Sequence, residues 1–575
     1  MRRHRSAAPA ARPTAPGVSV APAPRRVVDA LVGALVDVGV THAFGISGGA
    51  IALFADALRD RIEVVHCRHE SGAAFAATEL SLATGRPAVV FTTTGPGLTN
   101  ALTGLAAARS EGAHVVLVSG ASSQERRGRH PFQETASGQG WPWLSAGGAP
   151  DERLYEAHVE TPLDLQGAVQ QLHRLVCSPT GGVVRVLLST SAQACTAPMR
   201  DGSGMRRSGM KRSAEVPEAK KCAECLGDDV VVWLGFGARH AAAPVRRLVE
   251  ARGWHVMATP RGKGILPESH PLYMGVTGLG GDAHVLRELG RSRPEHVVVL
   301  GSRLGELSSF WHPGYLPSRA LVHVDVDPTA FGSAYREVPT MGVCADAGAF
   351  VEALLRELPP HPPAVPLRRP VPPLELPASG LRGIHPAVIM SSVQRVVVDG
   401  SDAIVMTEAG NTFAWGSCAL RFDRPRYRVS TSFGAMGQAS AGILGAALAA
   451  GGKAVALVGD GAMLMNNEVN TAVQYGAQAV WVVFNDAKYG MVEHGMRAIG
   501  LRPIATEIPR VDFAALGAAM GAVGLRVDRA VDLDPVLMIA MAERRPVVVD
   551  VRVDPDVPPP FGARNASLRA DGVER

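Results

Sequence analysis

The chain lacks most of what would mark a membrane, secreted or nucleic-acid-binding protein. No uninterrupted apolar run approaches the ~20 residues that a membrane span needs, so no membrane partner is expected. Seven cysteines in 575 residues are too few for a disulfide framework and suit a reducing compartment. Cys222 and Cys225 have CxxC spacing, but no second CxxC completes a tetrahedral metal site. The pair lies in a linker-like stretch, and chance accounts for it better than zinc or redox chemistry. No acid precedes Asp29, whereas Arg2, Arg3, Arg5, Arg12, Arg25 and Arg26 crowd that segment. It has no apolar h-region and is not a secretory signal. It shares the arginine-rich composition of a transit peptide but is poor in serine, so it reads as a disordered basic tail. The expected location is cytoplasmic, with organellar import by the tail left open. The net charge of +5 is small, and no basic, aromatic-interleaved stripe calls for nucleic acid.

What is present is a rhythm. The length predicts three or four domains, and two breaks divide the chain into three blocks. The first break, 195–227, is polar, basic and Gly/Ser-rich; the second, 357–380, is proline-dense and suits an extended linker. The blocks are therefore 24–194, 228–356 and 381–555, with tails at 1–23 and 556–575. Each alternates β-branched runs ("PAVVFTTT", "DVVVWLGFG", "AVALVGDG", "VWVVFND") with longer Ala/Leu-rich stretches. Continuous apolar strands between helices indicate parallel sheets covered on both faces. The predicted fold class is α/β, with three doubly wound parallel-sheet domains. The first and third blocks share a strand-helix rhythm.

In such sheets ligands bind beyond the carboxyl ends of the strands. "AVALVGDG" puts Asp460 in the turn after one strand, and "VWVVFND" puts Asn485 and Asp486 at the end of the next. Hard oxygen ligands on one rim, with Gly459 and Gly461 allowing close backbone approach, suit Mg²⁺ carrying a diphosphate. The plainer account is a pair of helix N-caps, which a bare GDG would favour; the second polar pair tips the balance to the metal.

This stretch resembles the thiamine diphosphate signature, and the resemblance runs further. "FGISGGAIALFADAL", "RHESGAA" with "TTTGPGLTN", "HPFQE", "ATPRGKGILPESHPL" and "FGAMGQASAGILGAALA" fall in the order seen in acetolactate synthase-like enzymes, over about residues 24–555. The resemblance implies pyrimidine-binding, central and diphosphate-binding domains in that order. It implies thiamine diphosphate and Mg²⁺ as cofactors and small-molecule 2-oxo acids as substrates. It also implies self-association, with each active site at a subunit interface because the two cofactor-binding domains of one chain do not face each other.

Carried over residue by residue, Glu70 is the carboxyl that hydrogen-bonds the aminopyrimidine and starts proton removal from the thiazolium, although "HES" alone would pass for a surface helix. Gly48, Gly49, Gly95 and Asn100 belong to the cofactor side of the first domain, where Gly45 and Ser47 share the turn. Gly434 offers its carbonyl to the exocyclic amine, and Met436 props the cofactor in its bent form; a core methionine is the plainer account of Met436. Gly410, Asn411, Gly459, Gly461, Ala462 and Tyr489 approach the diphosphate. Asp460, Asp486 and the carbonyl of Lys488 hold the metal, with Asp486 standing where many relatives have Asn. Phe132 and Gln133 lie near the reacting carbon, and His130 is an additional acid/base candidate.

The implied reaction is loss of carbon dioxide from a 2-oxo acid, followed by attack on a second carbonyl (carboligation) or by protonation to an aldehyde. No His-His dipeptide of the simple decarboxylase kind occurs, so carboligation leads, with a non-ligating decarboxylase as the alternative. A non-catalytic relative is disfavoured because Glu70, Asp460 and Met436 are all retained. Two departures bear on substrate: Leu307 stands at the position of an acceptor-binding arginine, and Gly495 at that of a pocket-narrowing tryptophan. Both point to an acceptor other than pyruvate or 2-oxobutyrate: an aromatic or otherwise large 2-oxo acid, or a ketone or aldehyde. The lone GxG at Gly235 and Gly237 is weak evidence for a dinucleotide, and close strand-helix packing explains it as well, so FAD is expected to be absent more readily than present.

Overall fold

The computed structural model describes residues 25–126, 128–133, 153–197, 216–359, 382–465 and 468–561. The basic tail at 1–23, most of the proline-rich segment 357–380 and most of 556–575 lie outside these residues.

Valine-rich runs form the strands because β-branched side chains pack well on a pleat buried on both faces. The first sheet contains β1 (His42–Gly45), β2 (Glu63–His66), β3 (Ala88–Thr92), β4 (His114–Ala121), β5 (Leu154–Val159) and β6 (Gly182–Ser189). The second contains β7 (Val230–Leu234), β8 (His255–Ala258), β9 (Tyr273–Val276), β10 (His296–Leu300), β11 (Ala320–Asp325) and β12 (Thr340–Cys344). The third contains β13 (Ile404–Thr407), β14 (Tyr427–Arg428), β15 (Ala454–Gly459), β16 (Ala479–Asn485), β17 (Val523–Val527) and β18 (Val547–Arg552). Every pairing between these strands is parallel.

The strand orders are β2-β1-β3-β4-β6-β5, β12-β11-β10-β7-β8-β9 and β14-β13-β15-β16-β18-β17. The first and third sheets thus have one topology, which accounts for their shared rhythm. Strand order reverses between β1 and β3, between β7 and β10, and between β13 and β15. Loops diverge at such switch points and leave a crevice for ligands.

Three sequence expectations need correction. Residues within 195–227 were expected to be linker, yet the helix Glu218–Cys225 buries Ala219 and Cys222, and with Val216 and Leu226 it joins the core of the second sheet. Those four apolar residues share one helix face, and burying them costs nothing polar. The C-terminal tail was expected from residue 556, but Val557 packs against the third-sheet core and Phe561 is buried. Asp460 was expected in a turn and instead opens the helix Asp460–Met465.

The outer domains of one chain also pack together, contrary to the reason given for an intersubunit site. The helix Glu70–Thr84 lies against the helix Gln438–Ala450, and one apolar core runs through both. Their small side chains let the backbones approach closely: a Cβ on Gly445 would lie 1.8 Å from the Ala76 carbonyl oxygen. The Glu468 carboxylate accepts from the backbone N–H groups of Arg68 (3.0 Å) and His69 (3.1 Å), tying the two domains just before Glu70. Among the described residues no helix is long and apolar enough to cross a membrane.

Candidate functional site

The rim of the third sheet gathers most of the sequence-predicted groups. Gly410 and Asn411 follow β13; Gly459, Asp460, Gly461 and Ala462 lie at and beyond the end of β15; Asp486, Lys488 and Tyr489 follow β16. These residues and Met436 line one cavity of about 300 Å³. Asp460 is 2% exposed. Its Oδ1 accepts from the Gly461 N–H at 2.7 Å, and its Oδ2 from the Ala487 N–H at 2.6 Å. Asp486 Oδ1 accepts from the Lys488 N–H at 3.3 Å. A Cβ on Gly490 would lie 2.6 Å from Asp486 Oδ2 and 2.7 Å from Asn411 Nδ2, so both side chains converge above that glycine. The Tyr489 ring covers Gly461, where a Cβ would lie 2.6 Å from ring carbon Cε1; only glycine admits that contact.

Electrostatics mark this rim as incomplete. Burial pushes the carboxyls of Asp460 and Asp486 up from the ordinary range, and the Asp460 charge raises Asp486 further. The Lys488 ammonium offsets this only in part, because its Nζ donates to Glu493 Oε1 at 2.9 Å. Two crowded carboxylates in one cavity with the Lys488 backbone fit a small hard cation that takes its remaining oxygens from water or phosphate. Asn485 does not join them. It is fully buried, and its Nδ2 donates to Asp550 Oδ1 and to the Val511 carbonyl, both at 2.8 Å.

Two cavity residues escaped the sequence reading. Glu408, 1% exposed, accepts from the N–H groups of Gly437, Ala439 and Ser440 at 3.2, 3.2 and 2.9 Å. It thereby holds the start of the helix that follows Met436. Trp415 is 8% exposed, and among the described residues its indole N–H has no partner; the same is true of Asn411 Oδ1. Buried polar atoms left unsatisfied in a cavity call for a ligand, and an indole donor suits an oxyanion such as a phosphate. The position of Glu408 just after β13 was a usable signal; for Trp415 there was none.

The first sheet presents a second cluster at its own switch point. Glu70 begins its helix, N-capped by His69, and is 6% exposed. Its Oε2 accepts from Asn100 Nδ2 at 3.1 Å. Gly95, at φ 55°, faces the Gln133 carbonyl oxygen, which a Cβ there would meet at 2.6 Å; a Cβ on Gly48 would meet Thr93 at 2.9 Å. Thr93 Oγ1 lies 3.5 Å from Gln133 Oε1. Phe132 is 89% exposed, and His130 is exposed with φ 54°. None of these residues lines the 300 Å³ cavity, whose wall comes from residues 386–557. The two clusters thus share no lining residue.

A larger cavity of about 690 Å³ lies where the three domains meet, and Arg239, Arg261, Arg303, Asp325, Leu307 and Gly434 are among its lining residues. Gly434, at φ 65°, thus faces this cavity while Met436 faces the smaller one. The Gly235–Gly237 turn crosses the β10 end closely, with a Cβ on Gly235 at 2.3 Å from the Gly301 carbonyl oxygen. Nothing lies within 4 Å of a Cβ built on Gly495.

Comparison with known proteins agrees with this geometry. The N-terminal thiamine pyrophosphate-binding domain model matches residues 25–140, the central domain model 227–354 and the C-terminal thiamine pyrophosphate-binding domain model 408–551. An acetolactate synthase large subunit of Mycobacterium tuberculosis is 28% identical over 92% of this chain and 88% of its own length. That of Corynebacterium glutamicum is 28% identical over 94% and 88%. Isozyme 1 of Escherichia coli is 26% identical over 92% and 95%. Among solved structures, a Rhodococcus jostii thiamine diphosphate-dependent 4-hydroxybenzoylformate decarboxylase superposes with a TM-score of 0.80 over 92% of this chain and 99% of its own, at 23% identity. At that identity the likeness concerns the fold.

Proposed function

Since the chain belongs to the thiamine pyrophosphate enzymes, as an acetolactate synthase-like member, we propose that it is a Mg²⁺-dependent carboligase. It would remove carbon dioxide from one 2-oxo acid and join the remaining acyl carbon to a second carbonyl, giving an acyloin or a 2-hydroxy-3-oxo acid. Thiamine diphosphate, when bound, supplies the carbon nucleophile and takes up the electron pair that carbon dioxide leaves behind.

The residues divide that work. Asp460, Asp486 and the Lys488 carbonyl would hold the metal. Gly410, Asn411, Gly459, Gly461, Ala462 and Tyr489, with the unpartnered Trp415 N–H, would hold the diphosphate. Gly434 and Met436 would fix the bent cofactor, and Gly48, Gly49, Gly95 and Asn100 would border its pyrimidine. Glu70 would hold the proton at the pyrimidine ring nitrogen, a task that suits a buried carboxyl with one amide partner. The contact of Gln133 with Gly95 and Thr93, beside Glu70, carries the choice of carboligation. A side-chain amide there would deliver no proton, which favours joining the acyl carbon to a second carbonyl over its release as an aldehyde.

Leu307 and the open space at Gly495 support a bulky, weakly acidic acceptor. Loss of a carboxylate clamp costs an acidic acceptor about 1.5–3 kcal/mol. No step is assigned to FAD; a visible spectrum of the purified protein decides its presence. The functional test is incubation with thiamine diphosphate, Mg²⁺ and 2-oxo acids, singly and in pairs, read by mass spectrometry. Coupled products from mixed pairs are expected. Aldehyde alone would overturn carboligation, and rapid acetolactate formation from pyruvate alone would overturn the acceptor assignment.

A further inference from the structure

The turn that runs from Ser430 to Met436 carries the two groups assigned to fixing the bent cofactor, yet the anchor of that turn belongs to another domain. Glu111 is the last residue of the helix Pro96–Glu111 in the first-sheet domain, and its side chain is wholly buried. Its Oε1 accepts from Ser430 Oγ at 2.6 Å and from the Ser432 N–H at 3.3 Å. Ser430 Oγ in turn accepts from the Gly434 N–H at 2.9 Å. The other carboxylate oxygen lies 2.7 Å from Arg261 of the central domain, whose guanidinium sits 3.9 Å from the centre of the Phe236 ring. Arg303, also from the central domain, donates to the Ser110 carbonyl at 2.7 Å.

An ion pair from Arg261 to Glu111 and hydrogen bonds from Glu111 through Ser430 to the Gly434 peptide therefore link all three domains. Hydrogen bonds to a buried charge are shorter and stronger than neutral ones. Gly434 occupies the left-handed region at φ 65°, where a short polar turn has few contacts to hold its peptide planes. Pinning the N–H orients the plane that precedes the carbonyl-bearing one. Small displacements of a catalytic group cost large factors in rate, so the anchor matters at the scale of tenths of an ångström.

We propose that Glu111, acting through Ser430, is a positioning residue that aims the Gly434 carbonyl at the exocyclic amine of the bound aminopyrimidine. The inference rests on the functional reading above. The alternative is that Glu111 merely joins three domains, and the two differ in what a variant changes. Interdomain joining affects stability alone. Positioning affects how the bound cofactor handles protons.

The experiment compares the wild type with Ser430→Ala, Glu111→Gln and the double variant, all at full length with Mg²⁺. Calorimetry gives the Kd for thiamine diphosphate, acid-quenched NMR gives the rate of deuterium exchange at the thiazolium C2, and thermal melting monitors the fold. Ser430→Ala is expected to slow C2 exchange about tenfold and weaken binding several-fold, which corresponds to losing one buried hydrogen bond. Glu111→Gln keeps the shape but turns an amide donor toward Arg261 or Ser430, and should slow exchange in the same sense. The double variant should be no slower than Ser430→Ala, because the two residues form one chain of bonds. Folded variants whose Kd and exchange rate match the wild type, with only the melting temperature moved, would overturn the inference. If one single variant does not fold, the other decides by the same criteria. A wild type that binds no thiamine diphosphate overturns both readings; a wild type that binds, with variants indistinguishable from it, overturns this one only.

Discussion

Glu70 can be separated from its surroundings because glutamine preserves nearly everything except the proton. The variant Glu70→Gln keeps the side chain's volume, its burial at the head of the helix and an oxygen for the Asn100 amide, which now donates at 3.1 Å. Turnover is therefore expected to fall about 10²–10⁴-fold, the usual worth of a placed acid/base. The Kd for thiamine diphosphate should change only a few-fold. Steady-state rates together with calorimetry check this, and unchanged turnover would remove Glu70 from the mechanism. At this scale the sequence was informative where a motif fixes a backbone position. Asp460, Asp486 and Gly410 could be placed because strand ends were visible as apolar runs breaking into polar turns. Asn485 misled, since neighbours along a strand point to opposite sides and its amide serves the core at Asp550. Glu408 stands just after β13 like the other rim residues, a signal its hidden role at a helix start obscured, whereas the role of Trp415 depends on where an indole nitrogen comes to rest, which spacing does not encode.

The contact between the helices Glu70–Thr84 and Gln438–Ala450 joins the domains that carry the two clusters, and its small residues make a test with a definite sign. At an exposed helical site, glycine to alanine would stabilise by about 1 kcal/mol. At Gly445 the new Cβ would lie 1.8 Å from the Ala76 carbonyl oxygen, so the helices would have to part. Gly445→Ala is expected to destabilise by about 1–3 kcal/mol, as overpacking does, read as a lower denaturation midpoint. The same seam buries Glu79, whose Oε1 accepts from Gln438 Nε2 at 3.0 Å and whose Oε2 has no partner among the described residues. Burial holds the Glu79 carboxyl above the usual range, against the lowering effect of Arg428. A carboxyl with a raised folded-state pKa binds its proton more tightly in the native state. Stability then falls as pH rises from the unfolded value toward the folded one. Thermal melts should show Glu79→Gln flattening that decline above pH ~5; an unaltered pH slope would exclude Glu79 as its source. Elements were the most legible level, because buried parallel strands write themselves as valine runs. The helix Glu218–Cys225 was not, since its surroundings are basic and polar and only a narrow stripe, Ala219 and Cys222 with Val216 and Leu226, reaches the core.

In the whole molecule, the two clusters stand on different sheets, and neither the 300 Å³ cavity nor the Glu70 cluster contains a residue of the other. Exposed apolar side chains stand near these motifs: Phe132 by the first cluster, Met465 and Val492 by the second and Phe433 in the larger cavity, at 89%, 59%, 54% and 43% exposure. No spacing in the sequence tests an intersubunit site, which rests on the resemblance to relatives alone, since which halves meet depends on packing between separate folds. If two copies associate with two-fold symmetry, each complete site takes Glu70 from one copy and Asp460 from the other. Glu70→Gln and Asp460→Ala homodimers would then both be inactive. A hybrid of the two would have one site with both defects and one with neither. Random pairing makes half of the dimers hybrid, so co-expression of the two variants should restore roughly a quarter of wild-type activity. Differently tagged copies let the hybrid be purified, where the expected value rises to about half. An isolated hybrid with no activity would mean that each chain closes its own site, and the catalytic unit would have to be sought within a single polypeptide.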